Sequence, residues 1–115
     1  MAADCIFCKI AAGEIPAKKV LDEPDLVAFH DLAPKAPTHV LIIPREHIGN
    51  LAAAAPGHEA LLGRLLLAAC RVAAATGVDT SGFRVALNVG PDAGQSVDHL
   101  HVHVLGGRSL GWPPG

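Results

Sequence analysis

The spacing of apolar residues along the chain switches between a helical period and alternation, and each switch marks an expected element. Near the start, Ile6 and Ile10 lie four residues apart and Gly13 follows as a helix stop signal, so we predict a short helix over residues 5–12. Stretches that are apolar, alternating or rich in β-branched residues predict five strands, over residues 20–23, 26–30, 39–43, 83–89 and 99–105.

A second segment with helical spacing predicts one long helix from about Pro56 to Thr76. Proline suits the first turn of a helix, and Gly77 suits its end. The apolar positions keep a period near 3.6 residues and predict one buried stripe, formed by Leu61, Leu62, Leu65, Leu66, Ala69 and Val72. Cys70 lies beside this stripe, and we predict that it is a small core residue.

The order of these elements is helix, three strands, helix, two strands. Short connections between the early strands favour antiparallel pairing, because parallel strands need long crossovers. The expected fold class is therefore α+β, an antiparallel five-stranded sheet with one long helix and a short N-terminal helix packed on it. With 115 residues, the chain is expected to be a single domain over residues 1–115.

Composition narrows the classes of partner. Half of the residues are apolar, yet the longest apolar run, residues 65–70, is far too short to span a bilayer. The first residues lack the basic and apolar regions of a signal peptide, so a soluble cytoplasmic protein without a membrane partner is expected. The net charge is −2 with no basic stripe, which argues against a nucleic-acid polymer as partner.

The run from His99 to His103 is the strongest chemical signal in the sequence. Because alternate side chains of a strand share a face, His99, His101 and His103 are expected on one face, left to a cleft or to solvent. The other face is apolar and is expected to anchor the strand in the core, through Leu100, Val102 and Val104.

Three interpretations of the histidine run compete: a solvated polar face, one metal held by all three rings, and catalysis. A solvated face does not require histidine at three alternate positions. A shared metal is strained, because residues i and i+4 of a strand lie roughly 13 Å apart at about 3.3 Å per residue. A neutral imidazole whose other nitrogen donates to a fixed acceptor is a competent nucleophile toward phosphorus. The run therefore favours catalysis, with a neighbouring ring available to contact phosphate oxygens.

The glycine-rich loop before this strand is a weaker signal for the same chemistry. Gly90, Gly94, Gln95 and Ser96 are expected to offer backbone N–H groups that wrap an anion such as a phosphate. A glycine-rich loop is more often simply a turn, so the loop gains weight only from the histidines that follow it.

The run over residues 94–108, Gly-Gln-Ser-Val-Asp-His-Leu-His-Val-His-Val-Leu-Gly-Gly-Arg, resembles the signature of the histidine triad (HIT) proteins. Residues 4–10, 28–31, 36–39 and the final Trp-Pro-Pro-Gly also match, so the resemblance covers essentially the whole chain. It points to the Hint branch, the purine nucleoside phosphoramidases. Asp98 departs from the pattern, because close relatives commonly have an aromatic residue there.

This resemblance implies a homodimer whose two sheets join, and hydrolysis of adenosine or guanosine 5'-phosphoramidates through a nucleotidyl-histidine intermediate. His101 would attack the α-phosphorus while the backbone carbonyl of His99 holds its far nitrogen as a donor. His39 and His103 would contact phosphate or bridging atoms. Ser96 and the backbone of Gln95 would lie near the phosphate and the leaving group.

The resemblance also implies a nucleotide site, in which Asp31 takes the ribose hydroxyls and Asn88 and Gly94 line the phosphate end. An apolar clamp around the purine would consist of Ile6, Phe7, Ile10, Phe29 and Leu32. Plainer roles stay open: the apolar residues as ordinary core, Asp31 as a turn cap, and His39 as a buried core histidine.

Cys5 and Cys8 have the spacing of a chelating pair, and a tetrahedral zinc site needs two further ligands. His47 and His99 would complete the Cys-Cys-His-His set that some members of this superfamily use for structural zinc, while other members are metal-free. Two reduced thiols therefore remain the alternative. In either case no cofactor is expected to be required for catalysis.

Two other functions stay open beside the phosphoramidase. One is a dinucleotide polyphosphate hydrolase or nucleotidyl transferase, although the transferase branch has a proline within its histidine motif where this chain has Leu100 and Val102. The other is a non-enzymatic nucleotide-binding scaffold, against which the intact histidine run argues.

Overall fold

One antiparallel sheet with a helix on each face organises the chain in the computed structural model, which describes residues 4–115. The elements in chain order are α1 (Ile6–Ala11), β1 (Lys19–Asp22), β2 (Leu26–His30), β3 (Thr38–Pro44), α2 (Glu59–Thr76), β4 (Phe83–Ala86) and β5 (Val102–Gly106). The strand order in the sheet is β1-β2-β3-β5-β4, with every neighbouring pair antiparallel. The predicted α+β class and its element order are confirmed.

The central strand β3 is buried on both faces, which explains why its sequence is continuously apolar rather than alternating. Val40 and Ile42 pack with the buried side of α2, whereas Leu41 and Ile43 pack with α1. Burial of this kind stabilises the fold by about 25 cal/mol for each Å² of apolar surface that is removed from water. The sheet therefore has one aliphatic core under α2 and a second, smaller core under α1.

The long helix α2 begins three residues later than predicted. Residues Pro56–His58 form a separate 3₁₀ turn, in which the N–H of Ala55 donates to Nδ1 of His58 at 2.9 Å. The helix ends at Gly77, whose left-handed conformation (φ 79°) lets its N–H reach the last carbonyls. The start was misplaced because proline fits the first turn of a 3₁₀ helix as well as that of an α-helix.

The predicted buried stripe of α2 is only partly correct. Leu66 is 55% exposed and Cys70 is also exposed, so Cys70 is not a core residue. The residues that are buried against the sheet are Leu61, Leu65, Ala68, Ala69, Val72 and Ala73. The prediction was wrong in part because it chose Leu66 and missed Ala68 and Ala73, whereas the close approach of helix to sheet places alanine at three of the buried positions.

The last two strands are shorter than predicted. The strand expected over residues 83–89 ends at Ala86, and the one expected over residues 99–105 begins at Val102. The N–H of Leu100 donates to the carbonyl of Ile48 at 2.6 Å, which holds the segment before β5 against the chain that follows β3. None of the helices in the described residues is long and apolar enough to cross a membrane.

We expect Leu65→Ala to lower the free energy of unfolding by about 2–5 kcal/mol, because Leu65 is 1% exposed and the lost side chain would leave a cavity between α2 and the sheet. Leu67→Ala on the same helix is the control, since Leu67 is 70% exposed and its loss is expected to change stability by about 0.5 kcal/mol or less. Urea unfolding of both variants measures the difference, and equal losses would contradict the assigned packing of α2.

Candidate functional site

The three histidines of the run lie on the sheet face that carries α1, as the alternation predicts. Phe7 of α1 contacts the rings of His99 and His101, with centroids 5.9 and 5.1 Å apart, while Val102 and Val104 pack into the core under α2. The expectation that all three histidines face a cleft or solvent is wrong for His99, which is fully buried. Its side chain points instead to the thiols at the start of α1.

His101 is held with one ring nitrogen committed. Its Nδ1 lies 2.6 Å from the backbone carbonyl of His99, and because a carbonyl only accepts, Nδ1 carries the hydrogen. In a neutral ring Nε2 is then left with a free lone pair. His101 is 5% exposed and lines a cavity, so this unprotonated nitrogen belongs to a ring that is fixed in position.

His39 and His103 are joined in a directional chain of hydrogen bonds. The backbone N–H of Lys35 donates to Nδ1 of His39 at 3.0 Å, so the proton of a neutral His39 must be on Nε2. Nε2 of His39 lies 2.9 Å from Nδ1 of His103 and donates to it. His103 consequently carries its own proton on Nε2, 3.5 Å from Nδ2 of Asn88. Because that amide nitrogen is itself a donor, this tautomer requires the Asn88 amide to turn so that its Oδ1 accepts from the ring.

Burial keeps these rings neutral. Burial, together with the smaller effect of the neighbouring His101 and His39, lowers the pKa of His103 to about 4. Burial also lowers the pKa of His39, although the carboxylate of Asp31 opposes that shift. Both rings are therefore neutral at pH 7, which is the condition under which the chain of donors and acceptors holds.

Asp31 lies beside this histidine pair and also shapes the loop that follows β2. Its Oδ1 accepts from the N–H of Ala33 at 2.8 Å, which is the turn-capping role, and its Oδ2 lies 3.5 Å from Nε2 of His39. Asp31, His39 and His103 are close enough to suggest a metal site. A metal on Nε2 of His39 would, however, require a ring with no proton at all, because Nδ1 already accepts from Lys35.

A cavity of about 240 Å³ opens between α1, the strands β2 and β3, and the histidine run. Every residue predicted for the purine clamp lines it, together with Asp31, Ser96, His101 and His103. The predicted clamp is Ile6, Phe7, Ile10, Phe29 and Leu32. Sequence reasoning missed Leu41, Ile15 and Val97. The alternation of β3 could have found Leu41, because it lies on the same face as His39.

A second, more open cleft of about 880 Å³ adjoins the first. Asn88 and Gly94, predicted for the phosphate end, line it, as does His39. The two hollows share three lining residues, Asp31, Ser96 and His103. The structure therefore brings the apolar clamp and the polar phosphate end together at the histidines, whereas Gln95 lines neither hollow.

Three of the four backbone donors that the sequence suggests in the glycine-rich loop are already engaged within the loop. The N–H groups of Gly94 and Gln95 donate to carbonyls of the same loop, and the N–H of Gly90 donates to Oε1 of Gln95 at 2.9 Å. The amide nitrogen of the Gln95 side chain donates to the carbonyls of Gly49 and Val97. Gln95 thus stabilises the loop, and Ser96 is the loop residue that reaches both hollows.

The four predicted metal ligands converge behind the histidine run. Nδ1 of His99 lies 3.3 Å from Sγ of Cys5 and 3.5 Å from Sγ of Cys8, and Nδ1 of His47 lies 3.3 Å from Sγ of Cys8. All four ligand atoms are within 4.8 Å of one another. A tetrahedral zinc ion places its ligand atoms about 3.3–3.8 Å apart, so the spacing fits.

The protonation pattern also fits a metal. Nε2 of His99 donates to the carbonyl of Pro44 at 2.9 Å, which leaves Nδ1 with a lone pair directed to the thiols. Burial lowers the pKa of His99 and so keeps that nitrogen unprotonated. Burial and the neighbouring Cys5 raise the pKa of the Cys8 thiol to about 11. A bound metal cation would stabilise the thiolate and so offset this rise.

Comparison with known proteins agrees with this geometry. The chain is 52% identical to an uncharacterized HIT-like protein of Synechococcus elongatus over the full length of both. It is 46% identical to a 14 kDa zinc-binding protein of Brassica juncea, over 97% of this chain and 100% of that protein. The crystal structure of a HIT family hydrolase from Legionella pneumophila superimposes with a TM-score of 0.94 at 46% identity, covering 96% of this chain and 99% of the other.

The family model of the HIT domain matches residues 12–110, which include β1 to β5 and the whole histidine run. The chain therefore belongs to the HIT domain family, and its similarity to a HIT family hydrolase supports a hydrolase.

Proposed function

We propose that the chain is a purine nucleoside phosphoramidase that hydrolyses adenosine or guanosine 5'-phosphoramidates to the nucleoside monophosphate. The observation that carries the proposal is the 2.6 Å hydrogen bond from Nδ1 of His101 to the carbonyl of His99, which leaves Nε2 as a nucleophile. An apolar cavity for a base and a polar cleft for a phosphate adjoin this ring, and both support a nucleotide as the substrate.

In the first step, Nε2 of His101 attacks the phosphorus, the phosphorus–nitrogen bond of the substrate breaks, and the departing nitrogen takes a proton from solvent water to leave as an amine. The product is a nucleotidyl group on His101. The proton on Nε2 of His103 is available to a phosphate oxygen, where negative charge must be stabilised in the transition state. Ser96 lines both hollows and is proposed to contact the phosphate or the leaving group.

In the second step, a water molecule attacks the same phosphorus, the bond to Nε2 of His101 breaks, and the proton that the water loses passes to solvent. The nucleoside monophosphate is released and the free imidazole returns. The carbonyl of His99 accepts from Nδ1 throughout, so it stabilises the positive charge that His101 carries while nucleotidylated.

Binding of the nucleoside is proposed to use the clamp and the carboxylate of Asp31. Oδ1 of Asp31 is engaged by the N–H of Ala33, so Oδ2 is the oxygen better placed to accept from a ribose hydroxyl. Asn88 and Gly94 are proposed to line the phosphate end. Leu32 is 97% exposed in the free chain, and a bound purine would cover part of it.

Structural zinc and a homodimer complete the proposal. Cys5, Cys8, His47 and His99 would hold the zinc, whose role is to fix these side chains rather than to act on the substrate.

The strand β4 is at the edge of the sheet, and its Val85 is 39% exposed, so a second copy could pair with it and join the two sheets.

We expect His101→Ala to lower the release of AMP from an adenosine 5'-phosphoramidate by a factor on the order of 10⁴ or more, because the nucleophile is lost. The matched control is His58→Ala, since His58 binds Glu46 and lines neither hollow. Mass spectrometry of the quenched wild type should detect a nucleotidyl group on His101. Undiminished turnover in His101→Ala would refute the mechanism, and faster cleavage of diadenosine polyphosphates would favour the alternative hydrolase.

We expect stability to fall as the pH is lowered from about 6.5 to 4, in part because of His103. Its pKa is about 4 in the fold and about 6.5 when unfolded, so in this range the unfolded chain binds a proton that the folded chain does not. Urea unfolding of the wild type and of His103→Gln, both zinc-loaded, should give a shallower pH dependence for the variant. Parallel curves would contradict the neutral state assigned to His103.

We expect one zinc ion per chain after dialysis against zinc and then buffer, with a higher thermal unfolding midpoint than that of the chelator-treated protein. Cys8→Ser should lose most of the bound zinc. Cys70→Ser should retain it, because Cys70 is an exposed thiol on α2 outside the four-ligand group. Atomic emission measures the ratio, and zinc retained by Cys8→Ser but lost from Cys70→Ser would exclude the assigned site.

A further inference from the structure

The loop between β2 and β3 is tied to the turn that follows β5. Nη2 of Arg108 donates to the backbone carbonyl of Lys35 at 2.9 Å. Gly107 brings the two segments together: its φ is +90°, and a Cβ there would lie 2.8 Å from Cβ of Pro37. A side chain at Gly107 would therefore push the loop away. Gly107 and Arg108 together hold this loop against the turn that follows β5.

The same residue of the loop faces the histidines on its other side. The N–H of Lys35 donates to Nδ1 of His39 at 3.0 Å, and this is the first link of the chain that runs through His39 to His103. A backbone N–H cannot accept a proton and does not titrate, so it gives the chain one direction. Arg108 is exposed, lies outside both hollows and contacts neither histidine.

We propose that Arg108 and the backbone of Lys35 are positioning groups, which set the proton of His39 on Nε2 and thereby the proton of His103 on Nε2. Their effect on catalysis rests on the proposed function, whereas their effect on the tautomers does not. They act on the reaction only through the two rings, and neither touches the substrate.

The opposite tautomer shows why this setting matters. With its proton on Nδ1, His39 would face the Lys35 N–H donor with a second donor, and its Nε2 would accept from Nδ1 of His103. Nε2 of His103 would then present a lone pair to the phosphate end, where it would repel a phosphate oxygen instead of donating to it. The backbone N–H of Lys35 thus determines whether His103 stabilises or repels the negative charge that develops on the phosphate.

Asp31 is the competing cause, because its Oδ2 also favours a proton on Nε2 of His39. That separation is 3.5 Å, longer than the 3.0 Å hydrogen bond from Lys35, and Oδ1 of the same carboxylate is engaged by Ala33. Geometry favours Lys35 as the dominant influence. The two causes can be separated, because Lys35→Pro removes the backbone donor together with the side chain, Lys35→Ala removes the side chain alone, and both leave Asp31 in place.

The test measures ring tautomers by ¹⁵N NMR in the zinc-loaded, substrate-free protein at neutral pH. In the wild type, Nδ1 of both His39 and His103 should be unprotonated and Nε2 protonated. Lys35→Pro should convert half or more of His39 to the Nδ1-protonated form, whereas Lys35→Ala, which keeps the N–H, should not. A wild type with a proton on Nδ1 of His39 would overturn the proposal. Unchanged tautomers in Lys35→Pro would also overturn it and leave Asp31 as the cause.

Arg108→Ala provides a second test that does not alter the loop sequence. We expect a mixture of tautomers at His39 and a fall in kcat of about fivefold, the equivalent of one net hydrogen bond, with KM unchanged within about twofold. Arg108→Lys can donate one bond to the same carbonyl and should restore most of kcat. Arg71→Ala, which breaks an exposed ion pair with Glu23, is the matched control and should change neither quantity.

The outcomes separate the two proposals. Wild-type tautomers in Arg108→Ala would overturn the role of Arg108 whatever the enzyme acts on. Tautomers that shift as expected, in a protein that releases no AMP from phosphoramidates, would leave the positioning role intact and refute the proposed function instead.

Discussion

The two-residue alternation of β3 and β5 is the constraint on which the candidate site depends. Val40, Ile42, Val102 and Val104 must face α2, because burying each methylene group contributes about 0.8 kcal/mol. The side chains of the residues between them must then point to the opposite face of the sheet. A slip of one residue would exchange core for site along the whole strand, so the free energy of the core also fixes where the imidazoles are.

Main-chain groups, rather than other side chains, determine the protonation pattern of the site. The carbonyls of His99 and Pro44 and the N–H of Lys35 each engage one nitrogen of a different imidazole. Such groups have fixed polarity at every pH, unlike carboxylates or other histidines. Three rings of the same chemical type consequently present three different groups: an unprotonated nitrogen on His101, an N–H donor on His39, and a lone pair directed to the thiols on His99.

Much of this site could be predicted from residue identity and spacing, because the strands β2 and β3 and the histidine alternation depend on local pattern. The residues predicted for the apolar clamp and those predicted for the metal site do lie together as groups, although only the resemblance to a family joined His47 and His99 to the cysteines. The donor role of Lys35 could not be found, because every residue except proline has a backbone N–H and its identity leaves no signal.

The sequence-based predictions that were wrong also concern hydrogen bonds that residue identity does not reveal. The start of α2 and the end of β4 depend on where hydrogen-bonded turns take over from regular structure, and proline and glycine are compatible with either. The anion-binding role of the glycine-rich loop failed because Gln95 turns inward and engages the loop's own backbone. Whether a donor is free or already engaged is a property of the folded loop, not of its composition.

The helix α1 has only six residues, which is too short to be stable by itself in water. Two thiols at its start contact the imidazole of buried His99, and its Phe7 packs between the histidine run and Phe29. The wall that Phe7 forms in the apolar cavity is therefore held in part by sulfur–imidazole contacts at the other side of the same helix. One short helix and its N-terminal cap thus line the cavity on one side and supply two of the four candidate metal ligands on the other, so a change at either side is expected to be felt at both.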